Sequence, residues 1–298
     1  MAILLRAHFF IFVLNSFLMK KFCFLLMAVF AVLASCDYVK PPYSTTPDTG
    51  NDTDIVVKVR KVLLEDYTGH TCGNCPKAAR VADQIKKDYG EKVVVIGVHA
   101  GGFASPDPPK YPSDFRNPVS TELYNFFGLL AAGNPNGMVN RAGYPNNHIK
   151  GESAWNTEVS AQLAKELSAF ITIKNSFDAS TRKIDTEVST EFEQSLQGDF
   201  KLAVYLVEDS IQAPQKDYTV SPDWVQNYMH KHVLRASFNG SSQGELIAGN
   251  PVKGNPAITK KYSLTLDPSF DASHCYVVAF VYNSSTWEVL QAEEKKIK

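Results

Sequence analysis

Cys72-Gly73-Asn74-Cys75-Pro76 is the stretch of this chain whose residue types and spacing best suit chemistry. Two thiols separated by two residues can close on each other, so one attacks a sulfur and the other resolves the resulting mixed disulfide. A cysteine at a helix N-terminus is held toward the thiolate by unpaired backbone N–H groups and by the positive end of the helix dipole. That makes Cys72 the expected attacking thiol and Cys75 the resolving one. Gly73 leaves the approach to the sulfurs free of a side chain.

The flanking residues set these thiols at a strand-to-helix junction. Before them, residues 58–67 carry Val59, Val62, Leu63 and Leu64, an apolar run of strand length suited to a sheet covered on both faces. After them, Ala78, Val81, Ala82, Ile85 and Tyr89 recur at helical spacing and stop at Gly90. A second apolar strand follows at residues 93–99. The loop of residues 101–118, with five prolines, runs near the dithiol as a specificity lid or as a packed surface insertion. Helical spacing resumes at residues 121–130.

This strand, Cys-X-X-Cys, helix, strand order resembles the thioredoxin-like superfamily. The resemblance implies that Asp66, six residues before Cys72, is a buried acid that takes the resolving thiol's proton. It also implies that Pro135, within Gly133-Asn134-Pro135-Asn136-Gly137, is a cis-proline facing the dithiol. Gly73, Asn74, Asn134, Pro135 and Asn136 would then contact substrate, with Asn140 and Arg141 lining or supporting the rim. The finer pattern is similar to the thioredoxin-like, outer membrane protein 28-related lipoproteins. It is carried by a lipobox, Tyr67-Thr68-Gly69 before the cysteines, Val139-Asn140-Arg141, and residues 228–235 (Tyr-Met-His-Lys-His-Val-Leu-Arg). Three features depart from the thioredoxin pattern: Thr71 before the first cysteine, Asn74 inside the motif and Pro76 after it. These positions tune thiol acidity and potential, so the direction of electron flow stays open.

The chain's 298 residues hold 30 Lys+Arg against 31 Asp+Glu, which disfavours a basic nucleic-acid binder. Its first 35 residues contain Arg6, Lys20 and Lys21 but no acid. Lys20 and Lys21, the apolar residues 22–32 and Leu33-Ala34-Ser35-Cys36 read as an export signal. Residues 1–18 are then an upstream extension. The last four residues resemble a bacterial lipobox, which implies cleavage before Cys36, its lipidation and a place in the cell envelope; the outer membrane is the expected one, while Asp37 after Cys36 leaves inner-membrane retention open. Residues 36–54, rich in Pro, Thr, Asp and Gly, form a tether. Of five cysteines, Cys72, Cys75 and Cys275 remain after processing, one functional pair and one thiol suited to a core.

Residues 153–167 read as a helix capped by Ser153, closing a domain of residues 55–168. From Ala169 the apolar period changes from about four to two, and successive short strands indicate an immunoglobulin-like all-β sandwich over residues 169–298. Residues 214–227 and 239–254 read as long loops. The expected fold is therefore an α/β thioredoxin-like domain followed by an all-β sandwich. The expected activity is thiol–disulfide exchange on exported proteins or peptides that carry thiols or disulfides, with no cofactor and the membrane reached through Cys36. Zinc held by Cys72, Cys75 and a nearby His70 or His99, and a metal held by His230 and His232, are weaker alternatives. A different class of reading also stands, in which a non-catalytic outer-membrane binding or assembly lipoprotein uses the thioredoxin-like domain as a scaffold.

Overall fold

The computed structural model describes residues 57–298. The expected signal, tether and lipidated Cys36 lie outside the described residues. Thirteen strands and four α-helices follow one another in the order β1 (Val62–Thr68), α1 (Cys75–Tyr89), β2 (Val93–His99), α2 (Pro118–Phe126), α3 (Leu129–Ala132), β3 (Asn136–Val139), α4 (Glu152–Leu163), β4 (Ala169–Asp178), β5 (Lys183–Phe192), β6 (Asp199–Glu208), β7 (Ile211–Lys216), β8 (Trp224–His230), β9 (Val233–Ser237), β10 (Glu245–Gly249), β11 (Ile258–Thr265), β12 (Cys275–Asn283) and β13 (Val289–Lys296). Among the described residues no helix is long and apolar enough to cross a membrane.

β1 and β2 pair in parallel with α1 as their crossover, and β3 adds to β1 antiparallel. Both parallel strands are buried along their whole length, as their uninterrupted apolar character requires. The sheet does not end at β2. It continues through β9, β6, β12 and β13, with β10 also on β6, to make eight strands in one layer. The strands on either side of residue 168 are thus joined by main-chain hydrogen bonds.

Alternation along the strands decides what covers each face. Val62 and Leu64 of β1 and Val93 and Val95 of β2 meet Ala78, Ala82 and Ile85 of α1 and Trp155 and Val159 of α4. On the same side, Leu202, Val204 and Leu206 of β6 and Cys275, Val277 and Ala279 of β12 meet a separate three-stranded sheet ordered β11-β5-β4. The opposite face carries Leu63, Tyr67, Val94 and Ile96 together with Tyr205 and Phe280, under Leu123 of α2, Phe127 just after it and Leu129 of α3. Cys275 is free and buried in the core beneath the β11-β5-β4 sheet, as its apolar surroundings suggested, and burial pushes its thiol up to about 12.

Several boundaries differ from those expected. The helix read over residues 153–167 runs from Glu152 to Leu163, because the extended Gly151 is its N-cap, two residues before the expected Ser153. The expected loop at 214–227 is mostly hairpin: β7 and β8 pair antiparallel, and only residues 217–223 form the turn. Pro214, which suggested a loop, sits where the register slips between Ala213 and Gln215, a place where a missing N–H is tolerated. The stretch 239–254 likewise contains β10.

Candidate functional site

Cys72 and Cys75 are joined as a disulfide with their Cα atoms 5.4 Å apart. The link closes the turn between β1 and α1. Cys72 N–H donates to the Gly69 carbonyl (3.1 Å) and Cys75 N–H to the Cys72 carbonyl (3.3 Å). Asn74 caps the helix from an exposed position and Cys75 is its first residue, followed by Pro76, which has no N–H to leave unpaired. Cys72 therefore lies just ahead of the helix N-terminus.

Asp66 points to the α1 side of the sheet and lines a cavity of about 50 Å³ together with Cys75, Pro76, Thr68 and His99. Its Oδ1 has no hydrogen-bond partner among the described residues. Burial pushes the carboxyl up to about 8, helped by the negative charge of Glu152. The group thus holds a proton near neutral pH and can exchange one with a neighbour.

The preceding residue faces the other way. Glu65 takes a bidentate hydrogen bond from Arg141, Nε to Oε2 at 2.8 Å and Nη2 to Oε1 at 2.7 Å, with both side chains fully buried. The guanidinium lies 4.8 Å from the ring centres of Phe127 and Phe280. Asn140 is also fully buried; its Oδ1 accepts from Leu63 N–H (2.8 Å). Asn140 and Arg141 therefore brace the core beneath β1 and β3 and do not line a rim. The sequence offered no local sign of this pair, since its members are 76 residues apart.

The Asn134–Pro135 peptide is cis. Register places Pro135 at the dithiol end of the sheet, because it directly precedes Asn136, the first residue of β3, which pairs with Tyr67 at the end of β1 that leads to Cys72. Asn136 spends its amide on the Ala132 and Gly133 carbonyls (3.0 and 2.8 Å), so it shapes the turn before Pro135. Gly137 is needed next: a Cβ there would lie 2.6 Å from the Trp155 ring and 2.7 Å from the Glu65 carbonyl oxygen.

The sulfurs are covered, which the sequence did not suggest. Cys72 is 3% exposed and Cys75 1%. Of the 101–118 loop, Phe103 contributes its carbonyl, which takes the N–H (3.0 Å) and hydroxyl (2.9 Å) of Thr71. Most of the cover comes from the β7–β8 hairpin. Lys216 N–H donates to the His70 carbonyl and Tyr218 N–H to the Gly73 carbonyl, both at 2.8 Å, and Gln215 Nε2 reaches the Cys72 carbonyl at 3.1 Å. The Tyr218 ring occupies the space that Gly73 leaves: a Cβ there would sit 2.6 Å from it. The expectation that Gly73 keeps the approach open is thus corrected. The glycine is needed because tyrosine fills that path.

Beneath the hairpin lie three buried histidines around Phe115. His70, His99 and His230 have ring centres 5.5, 5.0 and 4.7 Å from that of Phe115, and His99 lies 5.5 Å from His230. Burial lowers the pKa of each, and His230 falls to about 4. His232 is beyond the end of β8 and near Asp209 (3.9 Å), so it shares no strand face with His230. Gln215 and Tyr218 were missed as site residues because a hairpin more than 130 residues downstream brings them to the dithiol.

A family model described as Outer membrane protein Omp28 matches residues 120–298, a span that begins after both cysteines and includes the hairpin. Among solved structures, HBP35 of Porphyromonas gingivalis is similar with a TM-score of 0.64 at 18% identity, covering 81% of this chain and 76% of that one. The Agrobacterium tumefaciens protein AGR_C_4864 has a TM-score of 0.50 at 12% identity, with 81% and 96% covered. A domain of the outer membrane lipoprotein Omp28 from Porphyromonas gingivalis is 23% identical over 45% of this chain and 91% of that one, with a TM-score of 0.31. Among curated proteins none matches. At these identities the first two structures speak for a shared fold alone.

Proposed function

This chain belongs to the Omp28 outer membrane protein family, and from that premise we propose that it is an envelope lipoprotein with a thioredoxin-like site that exchanges disulfides with exported proteins. The family places it in the cell envelope, at the outer membrane. Attachment through a lipid on Cys36 belongs to the proposal.

The observation that carries the exchange reading is the cavity shared by Asp66 and Cys75 directly behind the disulfide. From the oxidised pair, a substrate thiolate attacks Cys72 Sγ, the Cys72–Cys75 bond breaks, and Cys75 leaves as a thiolate. Asp66, protonated at neutral pH, supplies the proton that neutralises it. A second substrate thiolate then attacks the substrate sulfur of the mixed disulfide and releases Cys72. The substrate has lost two electrons and formed a disulfide, and the pair is reduced. The reverse sequence reduces a substrate disulfide, with Asp66 carboxylate taking the proton of Cys75. In this reading exposed Asn74, between the two cysteines, and the Asn134–Pro135 turn at the same end of the sheet supply the contacts to substrate.

The test is exchange with a model disulfide substrate by the full chain and by Cys72→Ser and Cys75→Ser. Loss of turnover in Cys72→Ser and a trapped mixed disulfide in Cys75→Ser support the reading; wild-type exchange in Cys72→Ser ends it. A second reading, a scaffold that binds envelope partners without redox chemistry, is favoured by the burial of both sulfurs. It requires partner capture to survive both cysteine substitutions.

A further inference from the structure

Hairpin β7–β8 leaves the large sheet between two strands that pair with each other. β6 ends at Glu208 and β9 begins at Val233, and these two residues are partners across the ladder. The hairpin itself forms a sheet of two strands only. Its roots are fixed: Gly97 N–H donates to the His232 carbonyl (2.7 Å) and His232 N–H to Asp209 Oδ1 (2.9 Å). Ser210 and His232, one at each root, both have left-handed backbone (φ 58° and 54°), uncommon for side-chain-bearing residues.

Little apolar burial holds the hairpin down. Ala213 packs with Phe115 and Val233 in a cluster of three buried residues, with Ile211 partly buried beside them. A two-stranded hairpin with so small a core is at the low-stability end of a fold. What fixes it is polar. Besides the bonds to His70, Cys72 and Gly73, Arg80 of α1 reaches Asp217 (3.0 Å) and Thr219 (3.1 Å) in the turn.

We infer that this hairpin is a hinged cap over the Cys72–Cys75 pair, and that an extended polypeptide segment displaces it by taking over the main-chain positions of Lys216 and Tyr218. The inference rests on the exchange reading above and assigns its substrate class. Attack on a sulfur needs an open approach, and here both sulfurs are closed off. Lifting the hairpin removes the Lys216 and Tyr218 N–H donors of the His70 and Gly73 carbonyls, while the Cys72 carbonyl keeps the Cys75 N–H, and a buried acceptor left unpaired is destabilising. Lys216 and Tyr218 are two residues apart, the interval at which an extended strand presents successive N–H groups along one edge. A partner in extended conformation restores both bonds and carries its own cysteine to Cys72. A small thiol restores neither.

The experiment compares reduction of the Cys72–Cys75 disulfide in the full chain by dithiothreitol and by an unstructured dodecapeptide bearing two cysteines, with hydrogen exchange of residues 211–230 followed in parallel. Gln215→Ala/Tyr218→Ala loosens the cap directly. Arg80→Ala, at an exposed position on α1, does so without touching the hairpin. Expected are exchange of the 216 and 218 amides at least about 100-fold faster than that of β12, and reduction by dithiothreitol about 10-fold faster in the double variant. Arg80→Ala should give a smaller gain, and the peptide's advantage over dithiothreitol should shrink in both. Hairpin amides as protected as β12, or identical dithiothreitol rates in all three proteins, overturn the cap. A mobile hairpin over a pair that oxidises no substrate peptide in any of them leaves the cap standing and removes the exchange reading instead.

Discussion

Two adjacent residues on β1 show how one strand serves structure and chemistry on its two faces. Glu65 is committed to Arg141, and breaking such a fully buried pair from one side costs about 3–5 kcal/mol because it strands a charge. Arg141→Met should therefore lower stability by that order in chemical denaturation, and adding Glu65→Met should recover most of it. Asp66, on the opposite face, has no such partner, and burial lifts its carboxyl to about 8 from an unfolded value near 3.8. Between those values the native state binds the extra proton, so this group's contribution to stability falls as pH rises. Asp66→Asn is expected to raise the unfolding midpoint at pH 9, with the gain shrinking as pH falls from about 8 and gone below about pH 4. The same substitution should slow release of Cys75 during exchange while leaving alkylation of reduced Cys72 within about twofold.

The hairpin and its histidines form the element whose behaviour the sequence conceals. His230 faces His99 and His70, with Phe115 and Tyr228 completing its surroundings. Its folded pKa of about 4 lies below the ordinary 6.5, so the stability it contributes is complete above pH 6.5 and is lost as pH falls toward 4. At about 1.4 kcal/mol per unit this is about 3 kcal/mol for His230. Acid titration should show the hairpin's amide protection falling across that window ahead of the large sheet's, and His230→Gln should flatten the dependence. Strand, dithiol and helix were legible because a single run of residues encodes them: an apolar strand, two cysteines and an i, i+3, i+4 apolar pattern up to Gly90. The cap was not, because Pro214, Asp217, Ser221 and Pro222 read as loop chemistry, and the carbonyls that the hairpin answers belong to residues 69–73. Burial of Glu65 with Arg141 was hidden for the same reason, since the partners meet only across the sheet.

At the scale of the whole molecule, the change of apolar period near residue 169 marks a change of covering layer within one continuous sheet. Helices α1 and α4 cover one end and the β11-β5-β4 sheet covers the other. The family match spans the part that contributes the second end and the hairpin, while the dithiol comes from the part before it. A disulfide built by one segment and covered by the other gives the long C-terminal half direct contacts around the sulfurs. The central claim is that Cys72 and Cys75 are a working redox couple. Its most direct test is equilibration of the full chain across a glutathione or dithiothreitol series, followed by alkylation and mass measurement. The account predicts a reversible two-electron transition confined to Cys72 and Cys75, with Cys275 unmodified in the folded state. A pair that stays disulfide-bonded across the entire series, or never closes, contradicts it.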